Sequence, residues 1–214
     1  MDKTLLVCSM IMTFMSLITI FGARENFGTS KIVMQAAMTA AGLVAVLFIV
    51  NIDYKLFVDR YWAILWMASV GLLLLTLIIG DTGANGTESA NKSWLTIIKL
   101  GSRSFQIQPS EFVKIAFIIS FSKHLSMVRE SINEIKTLIP LAIHAGAIVG
   151  LILLSGDLGV AIVYVGIIAI MLAFAGLSVW YFVGAIGAMV LIFPFLWPHL
   201  SEYQQQRILV GFQP

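Results

Sequence analysis

"LAIHAGAIVGLILLSGDLGVAIVYVGIIAIMLAFA", residues 141–175, holds two long apolar runs separated by a Ser-Gly-Asp turn. Each run can cross roughly 30 Å of hydrocarbon at ~1.5 Å per residue. The same reading along the chain finds apolar runs at 4–23, 32–51, 61–80, 111–128, 135–154, 158–176 and 178–198. Lipid offers no partner to exposed backbone groups, and runs of this length are too long for barrel strands. Seven transmembrane helices in an all-α polytopic bundle are therefore expected. Composition agrees, with 59% apolar residues, 11% charged residues and a mean hydropathy of +0.97, values outside the range of soluble domains.

The first run is read as a span rather than a signal peptide, because it is too long for a signal core and begins beside Asp2 and Lys3. Cys8 stands alone in it as a small apolar filler, so no disulfide or metal framework is expected. A net charge of +2 says little about partners in a chain mostly hidden in lipid. With an odd number of spans, Lys3, Lys55, Arg60, Lys123, Arg129 and Lys136 fall on one side of the membrane. Arg24, Lys31, Lys92, Lys99, Arg103 and Arg207 fall on the other. That balance does not orient the protein.

Most connections are short, but "DTGANGTESANKSWLTIIKLGSRSFQIQ", residues 81–108, is long and rich in Gly, Asn and Ser. Its first part reads as loop, and Trp94 to Leu100 as a stretch lying in the headgroups, anchored by the indole and Lys99. Two N-x-S/T sequons, at Asn85 and Asn91, are what chance supplies in such a composition. No repeat and no soluble domain is evident, so residues 1–214 read as one membrane domain, with a further connecting segment beginning at 199.

The chemistry concentrates in "SFQIQPSEFVKIAF", residues 104–117. Pro109 suits the first turn of a helix and marks where span 4 begins. Ser110 or Gln108 can cap the free amides there, and Glu111 lies in the first turn, favourable to the helix dipole. Lys114 is not explained by capping. It lies three positions from Glu111 on nearly the same face, either sealing an ion pair or offering its ammonium to an anion at the membrane surface. A second helix start, "LLSGDLGVAIVYVGI" at 153–167, has Asp157 as its cap. Spans 4 and 6 run in the same direction, so their amino ends share one membrane face, and "SEYQQQR" after span 7 brings Arg207 to it. Lys114, Arg207 and two positive helix ends beside Glu111 and Asp157 suit a phosphorylated head group.

"NKSW" (91–94), "FQIQPSEFVK" (105–114), "GDLG" (156–159) and "YQQQR" (203–207) follow one another in an order that resembles the SEDS family of bacterial peptidoglycan glycosyltransferases, the RodA, FtsW and SpoVE group. The first two strings look closer to the RodA type. The resemblance implies a ten-span bundle in the bacterial cytoplasmic membrane that polymerises lipid II into glycan strands, with a polyprenyl pyrophosphate leaving group. It implies a class B penicillin-binding protein as partner; the lipid bilayer is a second partner, no nucleic acid is expected, and no cofactor is evident, a divalent metal being allowed but not indicated. Carried over by position, Glu111 and Lys114 match the polar pair of the Q-P-S-E-x-x-K motif, and Asp157 with Gly159 the D-x-G motif. Arg207 resembles the Arg that opens a large outer loop.

Two departures qualify the likeness. Ser155 and Gly156 stand where the family usually has Gln-Pro. The aspartate proposed as the family's catalytic base, with three further spans, would lie beyond Pro214. These residues are thus expected to be an amino-terminal portion, inactive alone, with no catalytic residue identified within it. Rival expectations are a flippase or transporter of lipid-linked precursors, and a scaffold for the penicillin-binding protein. His144 reads as a histidine bonded to a neighbouring helix, and Ser122 to Lys136, including His124, as a solvated link.

Overall fold

The computed structural model describes residues 3–22, 29–51, 54–82, 92–100, 103–199, 205–206 and 209. The chain divides into two compact units, Met1–Lys55 and Leu56–Pro214. In the first, α1 (Lys3–Gly22) packs against α2 (Thr29–Val50). The threonine hydroxyls described in their middle turns bond within their own helices, Thr13 donating to the Ser9 carbonyl and Thr39 to that of Gln35. This satisfies polar groups in a helix that faces lipid.

The second unit contains α3 (Tyr54–Ile79), α4 (Pro109–Met127), α5 (Ile135–Leu154), α6 (Leu158–Ala175) and α7 (Val179–Leu196). The seven helices fall on the seven expected runs, and the bounds of α5 coincide with those read from hydropathy. Four have segments long and apolar enough to cross a membrane: Ile32–Val50, Lys55–Ile79, Ile135–Leu154 and Leu158–Ala175. The apolar parts of α1 and α7 are shorter, and α4 carries Glu111, Lys114 and Lys123.

The core lies where α4, α5 and α6 meet. Phe117, Phe121, Ile148 and Tyr164 are fully buried, with Val113 and Ile152 nearly so. Phe117 stacks on Phe121 with ring centroids 5.1 Å apart and meets Tyr164 at 5.5 Å. The described side chains of α7 include none that is buried, so its apolar surface faces outward.

Two expectations are corrected. The 81–108 segment holds a three-stranded antiparallel sheet in the order β1 (Asp81–Thr82), β2 (Lys92–Leu100), β3 (Arg103–Ile107). Leu95 pairs with Ile107 and Thr96 with Gln106, and a bulge falls before Ile98. Trp94 to Leu100 is therefore paired as a strand rather than running alone, which leaves its expected place among the headgroups open: its β-branched and aromatic residues have a matching run shortly after them, so the backbone can pair locally. The residues of both sequons except Lys92 and Ser93 lie outside the described set. His124 is likewise not part of a solvated link. α4 continues to Met127 and holds it half-buried in the last turn.

Gly80 joins α3 to the sheet, and its N–H bonds the Thr76 carbonyl at 2.7 Å. A side chain there would run into that carbonyl oxygen and lie 2.9 Å from that of Lys92. Gly80→Ala should therefore cost about 1–3 kcal/mol. Hydrogen exchange should show faster exchange in β2 than in the wild type, while the amides of α5 keep their protection.

Candidate functional site

The site is built where β3 runs into α4. Gln108 stands at the N-cap position with extended backbone and Pro109 follows as the first helical residue, as expected from proline's fixed φ and missing N–H. Neither expected side chain caps the helix. Gln108 makes no capping bond, and the Ser110 hydroxyl, in a residue 5% exposed, has no hydrogen-bond partner.

The Gln108 amide instead donates to Asp157 Oδ2 at 2.7 Å, across 49 residues of sequence. Asp157 caps α6 as expected, its Oδ1 accepting the Val160 N–H at 3.1 Å. Both carboxylate oxygens are thus engaged, one by each helix start. Two turns into α6, Tyr164 adds a second tie: its hydroxyl donates to the Ser110 carbonyl at 2.7 Å. Asp157, Ala161 and Tyr164 follow a four-then-three spacing that puts them on one face of α6. That spacing was the available signal for Tyr164, which otherwise reads as one more aromatic in an apolar run.

The turn into α6 takes its shape from Gly156, at φ 83°. A proline cannot adopt this conformation, so the Ser155-Gly156 departure is a different turn that still delivers the Asp157 carboxylate. Gly159 lies in the first turn of α6 and is exposed, with no capping contact of its own described.

Glu111 and Lys114 form an ion pair, the first of the two readings of Lys114, with Lys114 Nζ lying 2.8 and 2.9 Å from the two Glu111 oxygens. The Glu111 side chain is 53% exposed, so the pair borders solvent or headgroups. The structure therefore brings Gln108, Pro109, Ser110 and Asp157 together, with Glu111 and Lys114 at the same start of α4. Arg207 lies outside the described residues. No group of three or more His, Cys, Asp or Glu suited to a metal occurs among the described residues.

A profile of the FtsW, RodA and SpoVE cell cycle proteins matches residues 2–214. The chain belongs to that family. Family membership and the long apolar helices make it a multi-pass membrane protein. Among its relatives, the stage V sporulation protein E of Bacillus subtilis is 29% identical over 94% of this chain. The probable peptidoglycan glycosyltransferase FtsW of Geobacter metallireducens is 26% identical over 100% of it. The chain spans about half the length of these relatives, 57% and 56% respectively. A similar fold occurs in a solved structure described as "Structural coordination of polymerization and crosslinking by a peptidoglycan synthase complex". The match has a TM-score of 0.72 at 21% identity, over 96% of this chain and 59% of that one.

The two ties at the helix starts differ in what they contribute. Tyr164→Phe removes the second donor to the Ser110 carbonyl, which keeps its bond within α4, and should lower unfolding stability by about 0.5–1.5 kcal/mol. Ser110→Ala removes a hydroxyl that has no partner, and should leave the melting temperature in nanodiscs unchanged or raised.

Proposed function

We propose that the whole protein polymerises peptidoglycan glycan strands from lipid II at the outer face of the bacterial cytoplasmic membrane, as a single membrane domain working beside a class B penicillin-binding protein. In this reaction an acceptor sugar hydroxyl attacks the anomeric carbon of the donor. The bond to the polyprenyl pyrophosphate breaks, and the hydroxyl proton passes to a base. No residue of this chain is assigned the base. Its share of the reaction is to seat the pyrophosphate.

The observation that carries this reading is the Gln108–Asp157 bond, which holds the starts of α4 and α6 side by side. Helix amino ends present unpaired N–H groups and a partial positive charge, the combination that anions prefer. Lys114 has three N–H donors, and its pairing with the carboxylate of Glu111 leaves capacity for a phosphate oxygen. Glu111 holds that ammonium in place and yields as the pyrophosphate arrives. Arg207 is proposed as a second cation for the same group. Charge gathered at helix starts suits chemistry on a lipid headgroup better than a transport path through the bundle.

Reconstituted whole protein supplied with labelled lipid II tests this reading. Lys114→Ala should reduce polymerisation by about 10²-fold, the scale for losing one preorganised electrostatic donor, and Glu111→Ala should reduce it less. Undiminished polymerisation by the Lys114→Ala, Glu111→Ala double variant would overturn the assignment.

A further inference from the structure

The other end of α4 holds a polar chain that the proposed reaction does not use. His144, 4% exposed in the middle of α5, lies with its Nδ1 3.1 Å from His124 Nδ1, and its Nε2 is 3.3 Å from the Ser120 hydroxyl. The Ser120 hydroxyl in turn donates to the Phe117 carbonyl at 3.1 Å. Around His144 stand Trp62 and Trp66 of α3 and Phe117 and Phe121 of α4. The Trp62 ring lies nearly parallel to it, and the Trp66 indole N–H donates to the His144 carbonyl at 3.0 Å. His144 is thus the point at which α3, α4 and α5 are fastened together.

These contacts decide where the protons sit. Ser120 spends its hydrogen on the Phe117 carbonyl, so it accepts from His144, which must carry its hydrogen on Nε2. Neutral His144 then has an unprotonated Nδ1, and the facing Nδ1 of His124 must be the donor. A first added proton goes to the outer nitrogen of half-buried His124 and leaves this arrangement intact. A second would place hydrogens on both Nδ1 atoms and oppose two positive rings at 3.1 Å.

We propose that His124 and His144 form one proton-operated clasp, which holds α3, α4 and α5 together while the pair carries at most one positive charge and releases them when it carries two. Among the charged groups at this end, Asp59 of α3 and Lys123 of α4 pair with each other, Nζ to Oδ1, at 2.6 Å, and Arg60 of α3, Arg129 and Glu130 after α4, and Glu134 and Lys136 at the start of α5 belong to the same end. From α3 the rings face Trp62 and Trp66, and from α4 Phe117, Ser120 and Phe121; among the described contacts no carboxylate reaches either imidazole. Among the described contacts, none therefore compensates a second charge directly. The clasp lies thirteen residues along α4 from Glu111, about 20 Å at ~1.5 Å per residue, and stands independently of the glycan reading.

Melting temperature and tryptophan fluorescence of the protein in nanodiscs, followed from pH 8 to pH 5, test the clasp. The wild type should lose several degrees on acidification with a change in Trp62 and Trp66 emission. His124→Gln and His144→Gln should each abolish most of that pH-dependent loss, and the double variant should add nothing further. Variants that are less stable at every pH but keep the wild-type slope would reduce the pair to packing and overturn the proposal. Should a variant fail to fold, ¹⁵N spectra of histidine-labelled wild type provide the test instead. One protonated and one bare Nδ1, coupled across their hydrogen bond near neutral pH, is expected, and two rings both protonated at Nε2 alone would refute it.

Discussion

A hydrogen bond of 2.7 Å from the Gln108 amide to the Asp157 carboxylate governs where two helices begin relative to one another. Hydrocarbon supplies no partner for the first amides of a helix, so in a membrane protein each helix start must be finished from within. Asp157 does this for α6 with one oxygen and receives α4 with the other. A hydrogen bond to a charged group contributes about 1.5–3 kcal/mol, and here it is backed by the buried Tyr164 tie to the Ser110 carbonyl. The consequence is a patch of membrane surface where two dipole ends and the Lys114 ammonium lie at the starts of two adjoining helices.

The two ends of α4 carry different kinds of polarity. At its start the charges are exposed enough to meet a headgroup, and the Glu111–Lys114 pair can exchange partners. At its end the polar atoms turn inward, from His124 through His144 to Ser120, and close on the Phe117 carbonyl. Between them the helix presents Phe117 and Phe121 to α5 and α6. The proposed ligand site at one end and the proposed clasp at the other are thus separated, among the described residues, by an aromatic core.

The spans were legible because hydropathy needs only neighbours in sequence. The bounds of α5 follow from the run between Glu134 and Ser155, and the cap of α6 from the Asp157 at its mouth. The placement of Asp157, Glu111 and Lys114 at the two helix starts was legible for the same reason, whereas their role toward a ligand is a proposal. What escaped depends on pairing at a distance. The partner of Gln108 is 49 residues away, so local rules made it a cap. β2 reads as a strand only once β3 is there to pair with it, Tyr164 looks like filler, and His124 looks like part of a solvated link, until the elements facing them are known. Family resemblance recovered the motif strings and their order, but it carries no information on which side chain meets which.

The most direct measurement is competition for lipid II binding in nanodiscs by undecaprenyl pyrophosphate and by undecaprenol, with the wild type and Lys114→Ala. If the starts of α4 and α6 seat a pyrophosphate, the pyrophosphate should displace lipid II from the wild type far better than the alcohol does, and Lys114→Ala should lose most of that advantage. Equal competition by the two lipids, or an advantage that survives in Lys114→Ala, would contradict the account.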